Sequence, residues 1–220
     1  DLSSEAELAY FYGISLIQLK RNQEAAPIFS KLAEVSQTNP DSLFYAAQGF
    51  MMLGDYEKSV LAFRQVVSIN SNLEKAHYFI GQSLIRLHRY DEAEKAFSRE
   101  LEINPLDVFS KYHLALTLIE RKIDPEKAIR ILEEAVSLKY DYADARYQIG
   151  KIYLEKGEIQ KAIDHFEIAV NSDSGKDYIH YQLSIAYRKA DRKEDADREL
   201  KRYQELKAAS RKSDSPMGNN

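Results

Sequence analysis

The chain has 220 residues, of which 44% are hydrophobic and 30% are charged, a composition typical of a folded globular protein and not of a disordered one. Its formal net charge of -4 gives no electrostatic argument for binding nucleic acid. The absence of cysteine excludes disulfides, thiol catalysis and cysteine-ligated zinc, although it fits either side of a membrane.

In chain order, apolar residues at helical spacing predict pairs of helices joined by short turns. The first helix is expected over about residues 4–20, and its partner ends near residue 37. Asn39 and Pro40 predict the N-cap and first position of the third helix. Later pairs turn at Gly54-Asp55, near Tyr90, at 121–125 and at Gly157. Asp124 and Pro125 are predicted to start the helix after the longest of these turns.

The helix pairs share aligned columns of residues. A small residue in each second helix recurs every 34 or 35 positions, as Ala25, Ser59, Ala93, Ala128, Ala162 and Ala196. Four positions later stands a large apolar residue: Phe29, Phe63, Phe97, Leu132, Phe166 and Leu200. Each first helix carries its own small residue: Gly13, Ala47, Gly81, Ala115, Gly150 and Ser184. A fixed period in this range is typical of stacked-repeat proteins.

The period, the columns and Pro105 at the close of the third repeat resemble the tetratricopeptide repeat family, whose pattern the stretch around Tyr147, Gly150, Ala162 and Phe166 matches closely. The resemblance covers about residues 6–209. It implies an all-α fold, a right-handed superhelical solenoid of about six helix-turn-helix repeats. We predict a repeat array over residues 1–209, followed by a disordered tail over 210–220. The expected repeats are 6–39, 40–73, 74–107, 108–142, 143–176 and 177–209.

The two ends of the array differ in sequence. The last helix has one apolar stripe and is otherwise charged, as expected where a stack ends. The first helix is apolar on most sides, with Leu8, Phe11 and Tyr12 beyond what its neighbours can cover. We therefore expect a second copy, an upstream repeat or another domain to cover it. A dimer formed this way should be weakened by Phe11→Glu and unaffected by substitutions near Tyr203.

The family resemblance implies that the first helices line a concave groove. Three positions before each small residue of a first helix stands an aromatic one: Tyr10, Phe44, Tyr78, Tyr112, Tyr147 and Tyr181. The predicted partner-binding groove adds Gln48, Gln82, Arg86, Lys151 and Arg188. Such a row of aromatics suits an extended peptide or a partner helix, or it serves packing alone. The groove lacks the Lys, Asn and Arg combination of family members that grip a C-terminal carboxylate, so that ligand is not expected.

The sequence contains no recognised catalytic, phosphate-binding or metal-binding motif. The five histidines show no paired i, i+4 spacing, and the chain has no glycine-rich phosphate loop and no G-x-S-x-G turn. The sequence thus predicts no catalytic residue, no cofactor and no metal.

The predicted function is a non-catalytic protein-protein interaction module, a scaffold that binds a peptide or partner protein. The alternative is a regulatory or substrate-presenting segment of a larger protein whose catalytic or targeting domain precedes Asp1. That alternative follows from a first residue other than Met and from the apolar first helix. The regular repeats resemble those of bacterial proteins, either cytoplasmic or of the cell envelope.

Overall fold

A computed structural model describes residues 2–35 and 38–213 of the chain, and these residues form twelve α-helices and no strand. The helices are Leu2–Gln18 (α1), Asn22–Val35 (α2), Pro40–Leu53 (α3), Tyr56–Ile69 (α4), Ala76–Arg86 (α5), Tyr90–Ile103 (α6), Val108–Glu120 (α7), Pro125–Leu138 (α8), Ala143–Glu155 (α9), Ile159–Ser172 (α10), Asp177–Lys189 (α11) and Lys193–Ser213 (α12). The predicted all-α architecture of paired helices is confirmed.

Local capping chemistry sets several helix starts. The Asn39 side chain accepts hydrogen bonds from the backbone N–H groups of Asp41 and Ser42, at 3.0 and 3.1 Å. Pro40 follows at the first helical position, where its missing N–H costs nothing. Asp124 likewise accepts from the Lys127 N–H at 2.9 Å, ahead of Pro125. Both predicted N-caps are confirmed.

Three predicted boundaries differ from the structure. Helix α1 begins at Leu2 instead of residue 4, and α2 begins at Asn22, which had been expected to lie in the turn. Helix α12 continues to Ser213, so residues 210–213 are helical where a disordered tail was predicted. The physical reason is that no helix breaker stands before Pro216, and Ala, Arg and Lys favour helix. The rest of that predicted tail, 214–220, and the expected helix end at residue 37 lie outside the described residues.

The chain divides into two compact units. The amino-terminal unit, residues 1–123, holds α1 to α7; consecutive helices pack together, and α1 also contacts α3. The carboxy-terminal unit, residues 124–220, holds α8 to α12, again with consecutive helices in contact for α8 to α12. The division falls between the two helices of the predicted fourth repeat.

The small columns make room for aromatic rings. A Cβ on Gly81 would lie 2.6 Å from Cζ of Phe97, and one on Gly13 would lie 2.4 Å from Cζ of Phe29. The large residue of each of these repeats therefore sits directly against its own small residue, and it also reaches the next repeat, where the Phe97 ring stacks on His113 of α7 with centroids 5.7 Å apart. Phe29 is also tight against Gly49 of α3, where a Cβ would lie 2.1 Å from its ring. The small residues of the first and second helices are buried in all six repeats.

A pair of neighbouring substitutions tests the register of these columns. Ala162 is fully buried beside Phe166 and Ile163, whereas Lys161 is exposed. We expect Ala162→Leu to destabilise the protein by about 1–3 kcal/mol through overpacking. Lys161→Leu should leave the thermal unfolding midpoint nearly unchanged. Equal midpoint shifts for the two variants would contradict the register.

Candidate functional site

The predicted groove aromatics pack mainly on the repeat core. All are half-buried except Tyr181, which is 42% exposed. Four of them contact the large aromatic residue of their own repeat, with ring centroids 6.4 Å apart for Tyr10 and Phe29, 5.2 Å for Phe44 and Phe63, and 6.0 Å for both Tyr78 with Phe97 and Tyr147 with Phe166. These side chains therefore present only part of each ring to a ligand.

The amino-terminal unit contains an open cavity of about 960 Å³. Of the predicted groove residues, Gln82 and Arg86 of α5 line it. The rest of its wall was not among the predicted binding residues, and it comes from α3, α4, α5, α6, α7 and the turn at His88: Met51, Tyr56, Ile85, His88, Tyr90, His113, Leu116 and Glu120. The cavity is large enough for side chains of a bound peptide.

Several of these wall residues stand one repeat period apart in the sequence. Glu120 stands 34 positions after Arg86, and Tyr90 stands 34 positions after Tyr56. Leu116 occupies the same column as Gln82. Leu116 and Glu120 therefore lie in groove columns of the sequence, although neither was among the predicted binding residues.

One wall of the cavity is polar without being charged. The Gln82 amide nitrogen donates to the Tyr78 hydroxyl at 2.7 Å and lies 3.3 Å from Nε2 of His113. Burial lowers the pKa of His113 to about 4, so its imidazole is neutral at neutral pH. Burial, reinforced by the nearby charge of Asp107, raises the pKa of Tyr78 to about 12. Gln82 thus joins two uncharged side chains.

The charge of the cavity comes from Arg86 and Glu120, on α5 and α7. The Arg86 guanidinium lies 5.3 Å from the ring centroid of Tyr56, a cation–π contact. Within the described part of the chain, Arg86 makes no ion pair. The other arginines of the amino-terminal unit all pair with carboxylates, namely Arg21, Arg64, Arg89, Arg99 and Arg121. Arg86 is therefore positioned by an aromatic ring and keeps its charge available to an anionic group.

A buried polar network lies at the start of α5. The fully buried Glu100 carboxylate accepts hydrogen bonds from the backbone N–H groups of Lys75 and Tyr78, at 2.7 and 3.2 Å. The Lys75 ammonium lies 2.5 Å from the carboxylate of Asp107. Burial raises the pKa of Asp107, but hydrogen bonds from Lys75 and Ser110 outweigh burial and hold that pKa below its ordinary value. The Lys75–Asp107 ion pair thus joins the start of α5 to the start of α7.

In the carboxy-terminal unit, the predicted groove residues Tyr147 and Tyr181 each pack against another tyrosine. Tyr147 meets Tyr178 with ring centroids 4.8 Å apart, and the Lys151 ammonium lies 5.8 Å from the Tyr147 ring. Tyr181 packs against Tyr203 of α12 at 5.1 Å. The Arg188 guanidinium lies 3.4 Å from the Asp197 carboxylate, so the two charges partly neutralise each other.

Other kinds of site were sought over the same residues. In residues 2–35 and 38–213, no three His, Asp or Glu side chains are placed to hold a metal ion. None of the described helices is both long enough and apolar enough to cross a lipid bilayer.

Two family models match the chain. One, described as anaphase-promoting complex, cyclosome, subunit 3, matches residues 18–100, and one described as tetratricopeptide repeat matches residues 120–177. Among curated proteins, the BBSome complex member BBS4 of Bos taurus is 25% identical over 160 residues, covering 72% of this chain and 30% of that protein. The chain spans between 24% and 30% of the length of the first curated relatives it matches.

Solved structures share the fold at low sequence identity. Pseudomonas aeruginosa pilF superposes with a TM-score of 0.75 at 15% identity, covering 95% of this chain and all of that one. YrrB, described as a TPR protein with an unusual peptide-binding site, gives a TM-score of 0.65 at 21% identity, covering 81% and 91%. These likenesses establish a common fold.

Proposed function

The chain belongs to the tetratricopeptide repeat family, and from this we propose that it is a non-catalytic scaffold that binds a peptide segment of a partner protein. We assign binding to the cavity of the amino-terminal unit. The description of YrrB, which has the same fold, as a peptide-binding protein supports this class of ligand.

The observation that carries the proposal is Arg86. Its guanidinium is held by the Tyr56 ring at the edge of a cavity of about 960 Å³ and forms no ion pair with a described residue. A free, pre-positioned arginine binds a carboxylate through charge-assisted hydrogen bonds. The rest of the cavity wall includes the apolar side chains of Met51, Ile85 and Leu116. The ligand is therefore a peptide with an apolar anchor and a neighbouring acidic side chain.

The remaining predicted groove residues have supporting roles in this proposal. Tyr78 fixes Gln82 through its hydroxyl, and Gln82 offers its amide to the peptide. In the carboxy-terminal unit, Tyr181 is the most exposed of the predicted aromatics, and we assign it to a separate surface of that unit. Tyr10, Phe44, Gln48 and Tyr112 extend the surface along the first helices.

A regulatory or substrate-presenting segment of a larger protein is the second candidate. The observation that favours it is the length of the relatives, of which the chain spans between 24% and 30%. Under this function the cavity binds a segment of the same longer protein. Determination of the full-length gene decides between the two.

We also propose the exposed face of α1 as a second contact surface. Its apolar side chains Leu8, Phe11 and Tyr12 are all more than half exposed, at 70%, 55% and 59%. Large exposed apolar side chains grouped on one helix are typical of contact sites.

Arg86→Ala tests the proposed cavity. Peptides selected from a random phage-displayed library on the immobilised wild-type protein serve as the probe, and fluorescence anisotropy gives their affinities. We expect the selected peptides to share an acidic residue and Arg86→Ala to weaken their binding about ten- to hundredfold, the range for a charge-assisted hydrogen bond.

The matched control is Arg64→Ala. Arg64 is an exposed arginine of the same unit that pairs with Glu92 at 2.8 Å and lies outside the cavity wall. Its replacement should leave peptide affinity within about twofold, since exposed ion pairs contribute little. Equal losses for both variants would show that binding depends on general surface charge and would refute the assignment.

A further inference from the structure

The cavity of the amino-terminal unit carries two opposite charges. Among the described residues, Arg86 and Glu120 are the only Arg, Lys, Asp or Glu side chains in its wall. Both are exposed, and neither forms an ion pair with another described residue. Peptide binding as proposed above uses the arginine and leaves the carboxylate of Glu120 without a role.

The two charges stand at equivalent places in consecutive repeats. Glu120 follows Arg86 by 34 positions, and each is the last residue of its helix, α7 and α5 respectively. Helix α5 contacts both α3 and α7. Helix α3 contributes one wall residue, Met51, which is apolar. Along the row of first helices, the cavity wall therefore contains a thioether from α3, a cation from α5 and an anion from α7.

Contact with Tyr56 explains why Arg86 does not pair with Glu120. The Arg86 guanidinium lies 5.3 Å from the centroid of the Tyr56 ring, which belongs to α4, whereas Glu120 belongs to α7. His88 and Tyr90, the polar wall residues that follow Arg86 in sequence, bond each other, with Nδ1 and the hydroxyl oxygen 3.0 Å apart. Both charges are therefore left for a ligand to neutralise.

Glu120 restricts which acidic ligands suit Arg86. A ligand with several carboxylates or phosphates would place one of them near Glu120, and like charges brought together repel. A ligand with one acidic and one basic side chain instead forms a charge-assisted contact at each site. Packed helices lie about 8–10 Å apart and an extended peptide advances about 3.3 Å per residue, so the two ligand residues are about two to four positions apart.

We propose that the cavity binds a peptide segment in which an acidic residue lies between an apolar residue and a basic one. The acidic side chain contacts Arg86, the basic side chain contacts Glu120, and the apolar side chain packs on Met51. This inference rests on the proposed function, and it adds the basic residue and the order of the three. Each of the three first helices thus contacts one side chain of the ligand.

Glu120→Lys tests the basic residue of the ligand. The probe is a peptide selected on the wild-type protein from the random phage-displayed library, with its affinity measured by fluorescence anisotropy. We expect selected peptides to share a basic residue on the far side of the acidic one from the apolar anchor. Glu120→Lys should weaken their binding about five- to twentyfold, because it replaces an attraction by a repulsion.

A charge exchange in the peptide makes this test specific. Replacing its basic residue by glutamate should weaken binding to the wild-type protein and restore most of the affinity for Glu120→Lys. A structural role of Glu120 would give no such rescue. If the glutamate peptide binds Glu120→Lys no better than the original peptide does, the inference is overturned.

The matched control is Glu74→Lys. Glu74 is an exposed glutamate of the same unit, lies outside the cavity wall and forms no ion pair with a described residue. Its replacement makes the same change in net charge and should leave peptide affinity within about twofold. Circular dichroism checks that both variants remain helical. Similar losses in Glu74→Lys and Glu120→Lys would show that only net charge matters and would overturn the inference.

Arg86→Ala and Glu120→Lys together separate this inference from the proposed function. Weaker binding by Arg86→Ala with unchanged binding by Glu120→Lys would overturn the basic residue and leave the peptide site intact. A library that yields no binding peptide would overturn both.

Discussion

Replacing Phe97 by alanine should lower the free energy of unfolding by about 3–5 kcal/mol. The Phe97 side chain is fully buried, and its ring meets those of Tyr78 and His113 with centroids 6.0 and 5.7 Å apart. Gly81 leaves the space that the ring fills, as a Cβ there would lie 2.6 Å away. Rigid helices cannot collapse into the volume that alanine leaves, so the loss includes a cavity as well as buried area. Urea denaturation followed by circular dichroism measures the change.

Leu61→Ala is the control for this prediction. Leu61 lies on α4 and is 61% exposed, so its truncation should change stability by no more than about 0.5 kcal/mol. If the two substitutions cost the same, Phe97 would not be the core residue of its repeat.

Glu100→Ala should destabilise the protein by about 2–6 kcal/mol. Glu100 is fully buried and accepts hydrogen bonds from the Lys75 and Tyr78 amides at the start of α5. Alanine leaves both amides without an acceptor, at about 1–3 kcal/mol for each unsatisfied group. Glu100→Gln keeps one acceptor oxygen and should cost less. Thermal and urea unfolding of the three proteins give the ranking.

Glu102→Ala provides the matched comparison on the same helix. Glu102 is exposed and pairs with Arg99 three positions earlier, an arrangement that contributes little to stability. Its removal should be nearly neutral. A neutral Glu100→Ala would mean that the amides of α5 do not depend on this carboxylate.

The repeat architecture was predictable because it depends on residue types that recur at a fixed period and on contacts between positions close in sequence. Close helix contact requires small residues such as Gly81 and Ala93 at a fixed period, and that period is visible in one sequence. The helix starts at Asn39 and Asp124 could also be predicted, since the side chain of an N-cap residue accepts from amides only two or three residues away.

Contacts between distant residues were not predictable in the same way. Glu100 caps a helix 25 residues earlier in the chain, and nothing in its neighbourhood marks it among the other glutamates of α6. Arg86 was placed in the groove, but its contact with Tyr56, 30 residues away, depends on how α4 and α5 pack. The aromatics at Tyr78 and Tyr147 were visible as a column, yet their half-buried packing on Phe97 and Phe166 required the fold.

The most direct test of the peptide-binding cavity is a map of amide chemical shifts in the isotope-labelled chain as a selected peptide is added. Binding in the amino-terminal cavity predicts the largest shift changes at Gln82, Arg86 and Leu116, which line it from α5 and α7. Arg86→Ala should remove those changes at the same peptide concentration. Shift changes confined to the charged outer side of α6, around Lys95 and Arg99, would contradict the account.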